Sequence, residues 1–274
     1  MSYIPLIARV DSLPPLPESV LKIEEIFAQG EPDIDKIVKI IELDPSLTAD
    51  ILSKVNAPYY GFSKSIVSIL QAITLFGASQ IRSIVLASTI QRNFDIDLSP
   101  YGISTSEFSK ISTMQSELIF QWYIGIDVDI ARSLTTIAFL METGKILIAK
   151  ETLQNEKQDA FLNDISTYED ISYVENMHTM MTSAQINTLI FKHFNLNDSF
   201  CESMKYLDNQ QEIPTNMKEM VTALQIVRTA INVKDQLNEH SLNNASKLLE
   251  DHMYNINTFK RAAARVKNRY IEVP

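Results

Sequence analysis

Apolar residues recur at helical spacing along most of the chain, and short polar breaks cut them into segments. Ile34, Ile37, Val38 and Ile41 fall at i, i+3, i+4 and i+7, which predicts a helix with one buried stripe. Ahead of it, after a short leader, Leu13-Pro14-Pro15-Leu16-Pro17 sets an extended entry, because each proline restricts the residue before it. A helix then begins near Pro17, carries Val20, Ile23 and Phe27, and stops at Gly30. Asp44-Pro45 supplies an N-cap and a first-turn proline for a helix whose inner face is Leu47, Ile51 and Val55. The stretch from Asn56 to Gly61 breaks that helix. A further helix is expected from Ser65, with Ile66, Ile69, Leu70 and Ile73, ending at Gly77; Ser79 can cap the next, with Ile81, Ile84 and Val85 inward.

Turn formers cluster between Gln91 and Gly102, which is the best internal boundary. Asp95 and Asp97 in it lack the further oxygen ligands and glycine of a calcium loop, so a solvated connector is expected. Ser104-Thr105-Ser106-Glu107 fits a capping box and opens a helix with Phe108, Ile111, Leu118 and Trp122 inward. From Arg132 to Lys150 an amphipathic helix stops at Met141-Glu142-Thr143-Gly144 and restarts at Lys145, leaving a polar break in apolar surroundings. Beyond a polar connection at 208–216, Met217, Met220, Val221, Leu224 and Ile231 line a long helix. Leu248, Leu249, Ile256 and Phe259 belong to a last one. The pattern is all-α, in three regions: an amino-terminal helical lobe (1–98), a central helical lobe (99–212) and carboxy-terminal helices packed on the core (213–274).

Composition agrees with helices. Only 6 of 274 residues are glycine, fewer than a chain rich in strands and tight turns would need. With 45% hydrophobic and 21% charged residues the chain is expected to fold as a globular protein. A net charge of −10 disfavours nucleic acid and anionic membranes as partners. The single cysteine, Cys201, excludes an intramolecular disulfide, and with no apolar run near the ~20 residues of a membrane span, the expected location is the cytoplasm.

Met141-Glu142-Thr143-Gly144-Lys145 resembles the signature of HD-superfamily phosphohydrolases, in which a His-Asp doublet followed by a residue and Gly-Lys supplies ligands to a divalent metal. Met141 and Glu142 stand where His and Asp would be, and a thioether is poorly matched to the hard or borderline metals of such sites. The resemblance places the first histidine of such enzymes at Ile111, and the later ones near Ser183 and near Leu207-Asp208. None offers an imidazole. Several motifs in order narrow the resemblance: Leu13-Pro14-Pro15-Leu16-Pro17, the segment from Ile40 to Thr48, that from Val55 to Gly61, and Gln71-Ala72-Ile73 with Leu75-Phe76-Gly77. Over residues 13 to 210 the chain resembles the HDOD family. That resemblance implies a bacterial, multi-helical regulatory protein related to HD hydrolases, with an amino-terminal lobe packed on a degenerate HD-like lobe.

The expected function is therefore a non-catalytic signalling module that binds a protein partner, with a nucleotide as the alternative ligand and no cofactor, metal or catalytic residue. Candidate pocket residues are Asn56, Tyr60, Met141, Glu142 and Lys145, each with a structural alternative: Asn56 ends a helix, Tyr60 packs in the core, and Lys145 points to solvent or pairs with Glu142. The basic run Lys260, Arg261, Arg265, Lys267 and Arg269 is a candidate docking tail, although cations at a helix end are favoured by the helix dipole alone. The competing function is a divergent HD phosphohydrolase in which Glu142, Asp208 and His193 converge. His193, on a helix with Ile186 and Ile190, reads first as a packed residue, and His178 sits among Met177, Met180 and Met181, which suit core filling or a malleable surface.

Overall fold

Side-chain caps mark where most helices begin. Asp33, Asp44, Ser68, Ser104, Asp127, Asp170, Thr182, Asn197, Asn238 and Asn255 each accept a hydrogen bond from a first-turn N–H, meeting donors that have no partner inside the helix. At Ser104 the capping box is complete, with Glu107 bonded back to the Ser104 N–H at 2.8 Å.

The computed structural model describes residues 4–94, 96–208 and 212–271. The chain runs through α1 (Ile4–Asp11), α2 (Glu18–Ala28), α3 (Ile34–Glu42), α4 (Pro45–Val55), α5 (Ile69–Phe76), α6 (Ala78–Gln91), α7 (Thr105–Tyr123) and α8 (Val128–Leu140). It continues through α9 (Gly144–Gln154), α10 (Gln158–Thr167), α11 (Ile171–Thr179), α12 (Ser183–His193), α13 (Asp198–Leu207), α14 (Lys218–Ala230), α15 (Glu239–Asp251) and α16 (Ile256–Tyr270). Short 3-10 turns occupy Pro58–Tyr60 and Ser99–Tyr101. Among the described residues the fold is all-α, apart from one isolated antiparallel bridge between Ile231 and Gln236.

Helices α7 and α8 pack along each other at the centre, and α6, α14 and α16 pack against this pair. Helix α6 has no polar face: Ile81, Ile84, Val85, Leu86 and Ile90 are buried together with Ser83 and Ser88, so it passes through the interior. Helices α9, α11 and α12 close one side of the centre, and the apolar cluster continues from Leu6 to Tyr270. No single described helix is long and apolar enough to cross a membrane; the pair α5 and α6 reaches that composition together but is bent by 118°.

Four boundaries differ from the sequence pattern. The segment taken as a leader contains α1, whose Leu6 and Val10, four residues apart, are buried against α9 and α12. Helix α5 starts after Ser68, not at Ser65, because Asn56 holds Ile66 outside the helix through its backbone N–H and carbonyl, both at 2.8 Å. Helix α6 starts at Ala78 after Gly77, which leaves Ser79 inside the first turn instead of capping it. The last predicted helix is two, α15 and α16, separated at residues 252–255, where Asn255 caps the second. Asp95 lies outside the described residues, while Asp97 caps Ser99 N–H at 2.9 Å as part of a turn.

Candidate functional site

The break between α8 and α9 survives as three residues, Met141-Glu142-Thr143, all buried. Gly144 makes the close approach possible: a Cβ there would lie 2.2 Å from the carbonyl oxygen of Ser183. Helix α9 therefore begins directly against the first residue of α12. This contact drives the side chains of Glu142 and Lys145 inward, to 1% exposure each.

Lys145 Nζ lies 2.9 Å from Glu142 Oε2 and 2.8 Å from Oε1 of Glu175, a fully buried residue of α11. It also donates to Ser183 Oγ at 3.1 Å. Further donors to the two carboxylates come from three elements. Glu175 accepts from the Tyr101 hydroxyl at 2.9 Å and from the Ser183 N–H at 2.6 Å. Glu142 Oε1 accepts from Gln115 Nε2 of α7 at 2.9 Å, and the same nitrogen donates to the carbonyl of Ile231 at 2.8 Å. A second ion pair stands beside this one: Arg228 Nη1 of α14 is 2.6 Å from Asp208 Oδ1, and Ser172 Oγ donates to the same carboxylate at 2.8 Å.

Burial by itself raises a carboxyl pKa, but at Glu142 the charges of Lys145 and Arg228, with hydrogen bonds from Lys145 and Gln115, overcome it and hold the group below its usual value. At Lys145 burial works against the ammonium, and Glu142 followed by Glu175 reverse that, keeping its pKa above the ordinary lysine value. Asp208 is held low in the same way, its burial outweighed by Arg228. Burial and then the Glu175 charge push Tyr101 well above the usual phenol value, so it remains a donor.

Carboxylates with lowered folded pKa values contribute stability that is present above the unfolded value, about 4, and lost as pH falls through the folded one. Lys145 contributes stability that is complete below about pH 10.4 and is lost only above it. Urea midpoints are therefore expected to be flat from neutral pH to about pH 5 and to fall on further acidification. Glu142→Gln should fall less steeply, and an equal acid slope in this variant would remove Glu142 from the account.

A cavity of about 380 Å³ opens beside the second ion pair, lined by Ser172, Asp208 and Arg228 together with Asp170, Asn232 and His240. The surroundings do not fit a divalent metal. Among the described residues no group of three or more His, Cys, Asp or Glu side chains is arranged to hold one. The Lys145 ammonium lies within ion-pair distance of both Glu142 and Glu175, and the backbone carbonyl of Met141 is taken by Asn187 Nδ2 at 2.5 Å. His193 does not join Glu142 and Asp208: its Nε2 pairs with the carbonyl of Leu13 at 2.8 Å, and no metal-holding group contains it.

The structure brings Met141, Glu142 and Lys145 together, and places Asn56 and Tyr60 elsewhere. Asn56 clamps the loop before α5, with a further bond to the Leu52 carbonyl at 2.8 Å. Tyr60 is buried among Tyr59, Phe62, Phe76 and Tyr270, its hydroxyl 3.4 Å from Thr113 Oγ1 of α7. On α16, Arg265 reaches Gln121 at 3.1 Å and Arg269 reaches Glu117 at 3.5 Å, so these two tie the helix to α7. Lys260 and Arg261 line a shallow surface depression, and Lys267 also has a partner. Lys145 is neither in solvent nor paired to Glu142 alone. Met177 and Met180 are exposed, while His178 Nε2 pairs with Asp164 at 2.7 Å.

Sequence reasoning did not find Glu175, Tyr101, Gln115 or Arg228. For Arg228 a signal existed: it falls four residues after Leu224 and seven after Val221, on the apolar stripe of its helix. Glu175 follows the buried Val174 and has no such mark.

The all-helical fold is shared with a solved HDOD domain protein. The HDOD domain model matches residues 13–210, and the chain belongs to the HDOD domain family. A crystal structure of a virulence factor from Campylobacter jejuni is similar with 27% identity, covering 99% of this chain and 98% of that one, at a TM-score of 0.60. An HDOD domain protein of unknown function from Geobacter sulfurreducens is 16% identical over 98% of this chain and 97% of that one, at a TM-score of 0.62. A proposed phosphohydrolase from Shewanella amazonensis superposes at a TM-score of 0.71, with 14% identity over 97% of this chain and 96% of that one. Among curated proteins, an uncharacterized protein of Treponema pallidum is 21% identical over 243 residues, which are 83% of this chain and 44% of that protein. The chain thus spans less than half the length of the curated relative it matches.

Proposed function

We propose that this chain is a regulatory HDOD module without catalytic activity, acting in a bacterial signalling pathway, in the cytoplasm, by binding a protein partner, with a nucleotide as the alternative ligand. The observation that carries this reading is the Lys145 ammonium, held at 2.9 Å and 2.8 Å from two buried carboxylates within the polar break. Metal-assisted phosphate hydrolysis needs a cation with open coordination positions, to polarise the phosphate and to lower the pKa of a bound water. An ammonium offers neither. It supplies the positive charge that the carboxylates require and leaves the break as a fixed structural joint.

The test is hydrolysis of bis(p-nitrophenyl) phosphate by the purified chain in the presence of Mn²⁺, Mg²⁺ or Zn²⁺. The expected rate equals that of the metal ion in buffer alone. A chelator-sensitive rate that disappears in Glu142→Gln would support a divergent phosphohydrolase instead.

A further inference from the structure

A separate cavity, of about 330 Å³, lies where α4, the end of α6 and the start of α7 meet. Asp50 and Lys54 line it from α4, Gln91 and Arg92 from the end of α6, and Thr105 and Ser109 from α7. Lys54 is half-buried, and its Nζ donates to Gln91 Oε1 at 3.1 Å. That acceptor is a neutral amide, and among the described residues no carboxylate lies within ion-pair distance of the nitrogen. Asp50, one turn earlier on α4, is taken by Arg92 instead, whose Nε is 2.6 Å from Oδ2.

Burial disfavours an ammonium that has no counter-ion against it. Here burial holds the Lys54 pKa below the ordinary lysine value, and the charge of Asp50 opposes this only in part. More of Lys54 is therefore free amine near neutral pH than of a solvated lysine, and the free amine is the nucleophile. The cavity wall also carries one carboxylate against two cations, in a chain of net charge −10, so it favours an anion. From α7 and the connector before it the lining residues, Thr105, Ser109 and Ile96, add no charge. The pair of Arg92 and Asp50 is about a third exposed on each side, at 35% and 36%, where an ion pair is weak and exchanges easily. The Arg92 guanidinium can thus turn to a phosphate group, which its fork of donors suits.

We propose that Lys54 is a site of covalent acylation by small acyl phosphates. Arg92 holds the phosphate while the unprotonated Nζ attacks the acyl carbon. The C–N bond forms as the bond from that carbon to the phosphate oxygen breaks, and the phosphate leaves with the electron pair. The proton lost by the nitrogen goes to the departing phosphate, so the products are the amide and hydrogen phosphate, with no change of oxidation state. Acylation removes the Lys54 charge and leaves the cavity with one carboxylate against one cation. The site shares no lining residue with the cavity beside Arg228 and is independent of the Lys145 centre, so either conclusion can fail alone.

The test is incubation of the whole folded chain with acetyl phosphate at pH 7, followed by digestion and mass spectrometry of each lysine peptide over time. Lys54 is expected to acetylate at least about fivefold faster than the exposed Lys64. Arg92→Gln, which removes the phosphate holder from a solvent-exposed pair, should slow Lys54 several-fold. Asp50→Asn, which frees Arg92 and removes the charge that favours the ammonium, should speed it. Melting temperatures of the two variants are expected to match the parent chain, as for other surface changes. A Lys54 rate no greater than that of Lys64 would overturn the proposal, as would a rate that Arg92→Gln leaves unchanged or that Asp50→Asn does not raise.

Discussion

Replacing Lys145 by methionine is expected to destabilise the protein by about 3–5 kcal/mol, the usual cost of leaving a buried charge without its partner. Here two carboxylates lose one ammonium, since Lys145 is 2.9 Å from Glu142 and 2.8 Å from Glu175. Methionine keeps most of the side-chain volume, so little of the loss comes from a cavity. Without Lys145, burial should raise the carboxyl pKa values, and a group raised in the folded state is least destabilising when it is protonated. The deficit of the variant against the parent chain should therefore shrink as pH falls towards about 4. A triple variant that adds Glu142→Gln and Glu175→Gln should recover part of the stability at neutral pH. Urea unfolding followed by circular dichroism reads both effects. A loss below about 1 kcal/mol for Lys145→Met, within the range of ordinary surface changes, would mean that the two carboxylates are not held as charges.

Gly144→Ala is the second large effect. An added methyl carbon would sit 2.2 Å from the Ser183 carbonyl oxygen and 2.9 Å from its carbon, both backbone atoms that cannot rotate away. Overpacking of this kind costs about 1–3 kcal/mol and occasionally more, and the upper end is expected because α9 must move away from α12. The movement also displaces Ser183, which donates its N–H to Glu175 and accepts from Lys145. Gly125→Ala is the control, with nothing within 4 Å of the added carbon, and it should change stability by less than about 0.5 kcal/mol. Equal melting temperatures for the two variants would show that the contact between α9 and α12 is looser than described.

Most of the helical framework was legible because its signals are local. Asp44-Pro45, Ser104 with Glu107, and the stripe Ile34, Ile37, Ile41 each define an end or a face within a few residues. Helix α1 was not legible: its stripe is two residues, and what orders it is burial of Leu6 and Val10 against α9 and α12, far along the chain. The polar break was visible from Met141 to Gly144 because glycine and two polar residues interrupt an apolar run. Its partners were not, since Tyr101, Glu175, Gln115 and Arg228 are brought there by packing, although Gln115 and Arg228 each interrupt an apolar stripe. The same reasoning grouped Asn56 and Tyr60 with Lys145, although Asn56 turns its amide to the loop before α5 and Tyr60 lies in a cluster of aromatic rings.

On the proposed reading, Lys145 takes the place that a divalent cation holds in HD phosphohydrolases, to which the HDOD family is related. Native mass spectrometry of the chain purified without chelator tests it most directly, reading bound metal and small molecules from one spectrum. The mass of the bare polypeptide is expected for the Lys145 centre, before and after incubation with Mn²⁺ or Zn²⁺ at a twofold excess. A stoichiometric metal adduct that is removed by chelator and absent in Glu142→Gln would contradict the account.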